Sequence, residues 1–356
     1  MILVVSHQQD KHAAAVLAAL ARSGTAAALL DLAEFPRRGL VTLSQEGRQR
    51  QTLLTGADGR PIRAEELSAV WWRRPRPYEV DPGLSPEHAA HASAQTHEAL
   101  SGALASLDVR WMNEPWADAR ACHKPFQLSV ARAVGLRVPD TLVSNDPAEA
   151  RRFLAARAGQ PVALKLLATT RETWQPTRCV EPRDLESLDR LRLAPVILQE
   201  YVPGVDLRVT AVGGRLFAAA IDARRTDSPG DFRMAFEEAE VRPVPLPARL
   251  AARLRALLRR LGLAYAAIDL RLPARGEPFF LEANPSGQWL FLEPRTGLPI
   301  TDAVAGFLAG GAAALRPARR TAGSSRSSAA RSSPPPRRPP AARTGTPPAR
   351  RAATRR

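Results

Sequence analysis

Three oxygen-bearing side chains in the last third of the sequence form a candidate metal site. Asp269 lies in the apolar segment AAIDLRL, and Glu282 and Asn284 lie in PFFLEAN. The connecting PARGEP predicts a hairpin turn. Residues two apart leave the same strand face, and cross-strand pairing can bring Asp269 beside them. Two carboxylates and an amide suit Mg²⁺ that keeps water and phosphate ligands; the alternative is a solvated strand face.

Two lysines are candidates for holding phosphate groups. Lys165 lies within the apolar segment VALKLL, and Lys124 lies about forty positions earlier. An amine inside an apolar strand is costly to bury unless an anion meets it. The alternative is an edge strand from which the amine reaches solvent.

The segment from Ala69 to Pro77, AVWWRRPRP, combines paired tryptophans with paired arginines at the end of a predicted strand. One interpretation is a strand whose aromatic rings pack on a helix while the arginines are solvated. The other is a platform for an anionic or peptide ligand, since arginine pairs with carboxylates and stacks on aromatic rings. The residue types leave both interpretations open.

The N-terminal third predicts a doubly wound α/β domain over residues 1–115. A buried strand at Ile2 to Val5, a helix at His12 to Ala21 and a strand at Ala26 to Leu32 form a β-α-β start. An edge hairpin over Leu40 to Ile62 and a long helix over Pro86 to Leu107 follow.

The remaining segments predict further strands and helices. The predicted strands are Val162 to Leu167, Pro195 to Val202, and two that flank the Gly213-Gly214 turn. The predicted helices are Pro247 to Leu261, which is amphipathic, and Asp302 to Leu308.

Most of the positive charge lies in a C-terminal tail. The net charge is +16, but residues 316–356 carry twelve arginines and no acid, which leaves +4 for residues 1–315. This tail is rich in Pro, Ser and Ala and is expected to be disordered, with at most weak nucleic-acid contacts. Two cysteines predict no disulfide framework, and neither a signal peptide nor an apolar run of roughly 18 residues is present. A cytoplasmic protein without a membrane contact is expected.

Together these residues resemble the ATP-grasp ligase superfamily from about Asn113 to Leu308. The resemblance implies an ATP-grasp domain over residues 116–312 and leaves 313–356 as the tail. Lys124 and Lys165 match the phosphate-contacting lysines. Gln199, Glu200, Tyr201 and Val202 match the segment that receives adenine, and Asp206 matches a ribose-side group. Asp269, Glu282 and Asn284 match the ligands of Mg²⁺, with two ions expected and Mn²⁺ as a substitute.

Within the superfamily, VWWRRP and HKPFQLSVARAVGLRVPDTLVSNDP resemble the maturases of graspetides, the microviridin-type ribosomal peptides, which are similar to ribosomal-protein glutamate ligases. That resemblance implies activation of an Asp or Glu side chain of a precursor peptide as an acyl phosphate, followed by closure of an ester or amide. The partner is then a precursor peptide with a leader segment. Arg208 and Arg233 are the candidates for holding the reacting carboxylate.

Other interpretations and one departure from the pattern remain. The enzyme alternative is a ligase that adds glutamate or another amino acid to a protein C-terminus or small acid. The non-enzyme alternative is a peptide-binding scaffold. The loop Leu167 to Thr177 lacks the glycines of many superfamily members and offers Thr169, Thr170, Arg171 and Thr173 instead. The sequence leaves the oligomeric state undecided, with a homodimer as one option.

Overall fold

The structure, a computed structural model, describes residues 1–168, 177–226, 232–234 and 236–310, without the side chain of Arg233. Thr169, Thr170, Arg171 and Thr173, which the glycine-free loop offers, therefore lie outside the described residues. The C-terminal tail, for which disorder was predicted, lies outside them as well.

The N-terminal part is built on a four-stranded parallel sheet with the order β2-β1-β6-β7. All four residues of β1 are buried, as the apolar run predicts for a strand covered on both faces. Helix α1 begins after Asp10, whose carboxylate accepts the N–H of His12 at 3.0 Å. The predicted hairpin is formed by β3 and β4, but together with β5 it makes a separate three-stranded sheet and does not lie at an edge of the parallel one. The elements are β1 (Ile2–Val5), α1 (Lys11–Arg22), β2 (Ala27–Leu30), β3 (Leu40–Glu46), β4 (Gln49–Thr55), β5 (Pro61–Arg63), β6 (Ala69–Trp72), α2 (Pro86–Ala105), β7 (Arg110–Met112) and α3 (Pro115–Ala121).

A second, antiparallel sheet has the order β10-β9-β11-β8. Its elements, with the helices that accompany them, are α4 (Lys124–Ala133), β8 (Thr141–Ser144), α5 (Pro147–Ala155), β9 (Val162–Lys165), β10 (Arg178–Cys179), α6 (Pro182–Glu186) and β11 (Val196–Glu200). Strand β9 carries Lys165 and lies between β10 and β11. The alternative of an edge strand is therefore wrong.

The largest sheet has five antiparallel strands in the order β14-β13-β12-β15-β16. Its elements and the helices around it are β12 (Val205–Val212), β13 (Arg215–Asp222), β14 (Glu240–Pro243), α7 (Ala248–Leu261), β15 (Tyr265–Leu272), β16 (Phe279–Asn284), α8 (Glu293–Thr296) and α9 (Ile300–Leu308). The predicted Gly213-Gly214 turn joins β12 to β13, and both glycines have positive φ. Helix α7 packs its apolar face on one side of this sheet and ends at Gly262 in the left-handed conformation.

Strand β16 contains a β-bulge at the candidate metal site. Asp269 lies opposite Glu282, whereas the next residue of β15, Leu270, lies opposite Phe280. Leu281 is therefore the extra residue of β16. Because of the bulge, Phe280 stays in the core at 0% exposure while Glu282 lies beside Asp269.

The predicted α/β fold class, with an N-terminal doubly wound part, is confirmed. The domain boundaries after residues 115 and 312 stay predictions. Within the part of the chain that the structure describes, no helix combines the length and apolar character needed to cross a membrane.

Candidate active site

The three residues predicted to bind metal lie at one end of the β15–β16 hairpin. Asp269 and Glu282 are direct cross-strand partners, and Asn284 lies opposite Ala267, two residues further along each strand. Across the described ranges, no three His, Cys, Asp or Glu side chains gather as a metal centre. The donor set here is a different one, two carboxylates and one amide oxygen.

Lys124 contacts this donor set from helix α4. Its Nζ lies 3.4 Å from Glu282 Oε2, and both side chains are partly buried. The lysine predicted for phosphate and a carboxylate predicted for metal therefore meet, although they are far apart in the sequence. A triphosphate with its metal ion needs this combination of cation and anion on neighbouring elements.

Gln127 fixes the strand between the two metal-ligand candidates. Its Oε1 accepts the N–H of Ala283 at 2.8 Å, and its Nε2 donates to Ala283 O at 2.8 Å and to Ala121 O at 2.5 Å. The side chain is buried, so these bonds form away from water. Gln127 is not among the residues predicted for the site; the available signal was a polar residue on the apolar face of an amphipathic helix.

Arg208, a candidate for binding the substrate carboxylate, is bonded within the protein. It is the cross-strand partner of Asp269, and its Nη1 donates to Asp269 Oδ1 at 2.7 Å. Its Nη2 donates to Gln288 O at 3.0 Å, and its Nε has no partner among the described residues. The second candidate, Arg233, lies in a short turn of helix, and its side chain is outside the described residues.

Asp206, predicted on the ribose side, forms a buried ion pair with Arg271. Arg271 Nη1 lies 2.8 Å from Asp206 Oδ2. The Arg271 guanidinium also lies 5.9 Å from the centroid of the Tyr201 ring. This pair therefore links the large sheet to the segment predicted to receive adenine.

Lys165 is oriented by Gln199 on the neighbouring strand. Lys165 Nζ donates to Gln199 Oε1 at 2.7 Å, and Gln199 Nε2 donates to Thr141 Oγ1 at 2.8 Å. Gln199 is 3% exposed, and its amide is hydrogen-bonded to β9 on one side and to β8 on the other. The small sheet thus fixes the amine of Lys165, whose contact with phosphate stays a prediction.

The residues after Gln199 lead from the small sheet to the large one. Glu200 closes the end of β11, because its Oε2 accepts the N–H of Asp140 at 3.2 Å. Tyr201 N–H donates to Pro161 O at 3.1 Å, and Val202 is buried. Adenine binding by this segment stays a prediction.

The loop after Asn284 is bonded to the strand that ends in paired tryptophans and arginines. Arg73 Nη1 donates to Ser286 O at 2.7 Å and to Gly287 O at 2.9 Å. Its guanidinium also lies over the rings of Trp71 and Trp289 and pairs with Asp10 at 3.1 Å. Trp71 packs in the core as the first interpretation expects, but Arg73 is buried rather than solvated.

The charges around Arg73 influence each other. Burial lowers the pKa of Arg73. Burial also acts to raise the pKa of Asp10, but the Arg73 guanidinium and hydrogen bonds from Ser6 and His12 hold it below its usual value. His12 packs edge-on against Trp289, and burial together with Arg73 lowers its pKa to about 3. At neutral pH this pocket therefore holds an ion pair and a neutral imidazole.

Asn113 ties the end of the N-terminal sheet to the same region. Its Oδ1 accepts the N–H groups of Ala264 and Tyr265 at 2.8 and 2.9 Å. Its Nδ2 donates to Tyr265 O at 3.0 Å and to Pro285 O at 3.4 Å. Strand β15 and the loop after Asn284 are thereby held by one buried amide.

The donor set fits Mg²⁺. Carboxylate and amide oxygens are the ligands that this ion accepts, and a small protein contribution leaves room for phosphate and water. Asp269, Glu282 and Asn284 would hold the ion, while Lys124 and Arg208 are the cations that already neutralise the two carboxylates.

The fold and site resemble those of known proteins. Residues 1–119 match the family model described as the MvdD pre-ATP grasp domain. The structure of macrocyclase MdnC from Microcystis aeruginosa, bound with its precursor peptide MdnA, is 30% identical with a TM-score of 0.76, and covers 86% of this chain and 98% of MdnC. The ATP-grasp ligase PsnB, complexed with a phosphomimetic precursor variant, Mg and ADP, is 26% identical with a TM-score of 0.69, and covers 86% of this chain and 97% of PsnB.

A curated relative is a probable alpha-L-glutamate ligase of Shewanella pealeana, 27% identical over 220 residues. The match covers 58% of this chain and 45% of the relative, so the chain spans less than half of that protein's length. The chain belongs to the ATP-grasp ligase superfamily. Within it, the chain is similar both to the macrocyclase MdnC and to probable alpha-L-glutamate ligases.

Proposed function

We propose that the chain is an ATP- and Mg²⁺-dependent ligase that closes an ester or amide within a precursor peptide. The observation that carries the proposal is the Asp269–Glu282 pair with Lys124 3.4 Å from Glu282. The peptide substrate is supported by MdnC, which is 30% identical and was crystallised with a precursor peptide. The use of ATP and Mg²⁺ is supported by PsnB, which was crystallised with Mg and ADP.

The reaction requires two displacements. An Asp or Glu side-chain oxygen of the peptide attacks the γ-phosphorus of ATP, and ADP leaves with the bond to the β-phosphate oxygen broken. A Ser or Thr hydroxyl or a Lys amine then attacks the acyl carbon, loses its proton, and displaces phosphate. The peptide loses the elements of one water for each ring, and no enzyme nucleophile takes part.

The residues of the chain supply positioning and charge, which dominate phosphoryl transfer. Lys124 and Lys165 neutralise the phosphates, with Lys165 held in place by Gln199. When bound, Mg²⁺ neutralises the phosphate oxygens near the transferring group, and we propose two ions, with Mn²⁺ able to substitute. Glu200, Tyr201 and Val202 receive adenine, and Asp206 lies on the ribose side.

Arg208 and Arg233 are proposed to hold the reacting carboxylate. Arg208 has an ion pair with Asp269, so its role requires that Asp269 turn toward the metal ion. Its bond from Nη2 to Gln288 O would keep the guanidinium in place during that change. Unchanged turnover in Arg208→Ala or in Arg233→Ala would remove that arginine from the mechanism.

A glutamate or amino-acid ligase is the second candidate, because the curated relative is a probable alpha-L-glutamate ligase. A non-catalytic peptide-binding scaffold is the third. The two enzymes differ in product mass, since cyclisation removes water whereas ligation adds an amino-acid residue. The scaffold would bind peptide without ATP turnover.

The deciding experiment incubates the protein with ATP, Mg²⁺ and a short candidate precursor peptide that carries repeated Thr and Asp or Glu residues in its C-terminal half. Mass spectrometry should show the loss of one water per ring, together with one ADP for each ring closed. Omission of Mg²⁺ and the Glu282→Gln variant are the controls. Addition of an amino-acid mass would favour the second candidate, and an unchanged peptide without ADP formation the third.

Two features of the cellular context are part of the proposal. The peptide partner carries a leader segment that the protein recognises outside the reacting residues, in keeping with the precursor bound to MdnC. A cytoplasmic location is the second of these features, and it is supported by the proposed use of ATP and by the free thiols of Cys122 and Cys179.

A further inference from the structure

Ser286 is hydrogen-bonded to both Arg73 and Asn284. Its carbonyl oxygen accepts Arg73 Nη1 at 2.7 Å, and its hydroxyl donates to Arg73 O at 2.8 Å. Its N–H donates to Asn284 Oδ1 at 2.9 Å. One residue therefore joins the end of β6 to the amide oxygen of a metal-ligand candidate.

Arg73 is held so that it cannot follow a moving loop. Its side chain is 0% exposed, its Nε is bonded to Asp10 at 3.1 Å, and Trp71 and Trp289 lie beside its guanidinium. Asp10 is itself fixed by the hydroxyl of Ser6 at 3.0 Å and by the first turn of α1. The N-terminal sheet thus fixes the position of Ser286 through Arg73.

A buried Arg73–Asp10 ion pair costs more desolvation free energy than is needed merely to pack the loop after Asn284. A buried ion pair repays the desolvation of its charges only with good geometry, and apolar packing often serves stability as well. Arg73 Nη2 is also buried and has no partner among the described residues. The guanidinium donates directional hydrogen bonds that orient the carbonyls of Ser286 and Gly287. An apolar side chain could not orient them.

We propose that Arg73 and Ser286 are positioning residues that set the orientation of the Asn284 side chain toward Mg²⁺. This inference rests on the proposed function, because it takes Asn284 as a metal ligand. The N-terminal sheet then acts on the metal site through two hydrogen-bonded residues. The Trp-Trp-Arg-Arg segment acquires a role that is neither a solvated edge nor a direct ligand platform.

The test measures binding of ADP by calorimetry at a series of Mg²⁺ concentrations, with no peptide present. Arg73→Met removes both carbonyl bonds, Arg73→Lys keeps one cation near them, and Ser286→Ala removes the hydroxyl bond. Groups that orient metal ligands typically change metal affinity by about 10- to 100-fold. We expect Arg73→Met to raise the Mg²⁺ concentration for half-maximal ADP binding by about tenfold or more, with a smaller shift in Arg73→Lys.

Arg255→Met is the matched control, because Arg255 Nε also donates to a turn carbonyl, Gly214 O at 2.8 Å, away from the site. The unfolding temperature is measured for every variant, and Ser286→Ala serves if the arginine variants fail to fold. Because both residues act in one network, the double variant Arg73→Lys and Ser286→Ala should shift the Mg²⁺ response by less than the sum of the single shifts in free energy.

The outcomes separate the two levels of the proposal. A wild-type protein that binds ADP with no dependence on Mg²⁺ would overturn the metal site and this inference together. A Mg²⁺-dependent wild type whose three variants keep the same half-saturation would overturn the inference and leave the proposed function standing. An equal shift in Arg255→Met would also overturn it, since the effect would then reflect general stability.

Discussion

Lys124 Nζ lies 3.4 Å from Glu282 Oε2, and this contact joins the first turn of α4 to the strand that carries two metal-ligand candidates. Each residue belongs to a different predicted set, one for phosphate and one for metal. Their contact is what a site for a metal-bound triphosphate requires, because the lysine and the ion must neutralise neighbouring oxygens.

Changes in ligand charge at the hairpin should stop catalysis without unfolding the protein. Glu282→Gln removes a negative charge and Asn284→Asp adds one, each with little change in shape. We expect ATP turnover to fall at least about tenfold, or roughly 1.4 kcal/mol in the barrier. A coupled assay of ADP release measures it, and circular dichroism confirms folding. Wild-type turnover in both variants would mean that these residues do not bind the metal.

Loss of the Gln127 amide should weaken both the fold and the site. Gln127→Leu leaves the N–H and carbonyl of Ala283 without their side-chain partner in the core, and each buried unsatisfied group costs about 1–3 kcal/mol. Denaturant unfolding should show a loss in that range. Ser129→Ala, at an exposed position of the same helix, is the control and should stay close to wild type. An equally small effect in both variants would contradict the role of Gln127.

Gly287 is predicted to tolerate no side chain. A Cβ there would lie 2.3 Å from Ala267 Cβ and 3.2 Å from Arg208 Nη2, so the loop after Asn284 would have to move. We expect Gly287→Ala to cost about 1–3 kcal/mol of unfolding free energy, as overpacking does, and to weaken Mg²⁺-dependent ADP binding.

Gly306→Ala provides the contrast to that change. Its Cβ would have no heavy atom within 4 Å, and the residue lies within helix α9. Replacing a helical glycine with alanine typically gains about 0.5–1 kcal/mol. If Gly287→Ala and Gly306→Ala change the unfolding temperature by the same amount, close packing at Gly287 does not explain the loss of stability in Gly287→Ala.

Acid should destabilise the protein through His12. Burial and the Arg73 charge lower the pKa of His12 from 6.5 to about 3. Between these pH values the imidazole is protonated in the unfolded chain but stays neutral in the folded chain, so protonation stabilises only the unfolded state. The free energy of unfolding is therefore unaffected by His12 above pH 6.5 and decreases as the pH falls toward 3. At pH 5 the loss amounts to about 2 kcal/mol. His12→Phe removes the titrating group, so its unfolding free energy should fall less than that of the wild type between pH 7 and pH 5. Parallel pH profiles of the two proteins would contradict the buried neutral imidazole.

The sequence predicted those parts of the fold that depend on local pattern. The β-α-β start and the β15–β16 hairpin follow from apolar runs, a helix cap and turn residues, which act over a few positions. The facing of Asp269 and Glu282 could be expected because alternation within a strand and pairing between strands are general properties.

What it could not predict depends on contacts between distant residues. Arg73 and Ser286 are 213 positions apart, and no local pattern marks a buried arginine that bonds a loop carbonyl. The bonds of Gln127 to Ala283 span 156 positions. Strand β14, with exposed charged residues and a terminal proline, has little of the pattern by which strands are found.

The bulge at Leu281 also constrains how this protein can change its length. A deletion of Leu281 would restore regular pairing while Glu282 stayed opposite Asp269 and Phe280 stayed opposite Leu270. A deletion of Ala283 would have a different result, because Asn284 would then follow Glu282 directly and its side chain would leave the opposite strand face. Among natural relatives, a one-residue gap at Leu281 is therefore expected to be compatible with the reaction, whereas a gap at Ala283 should mark proteins that have lost it.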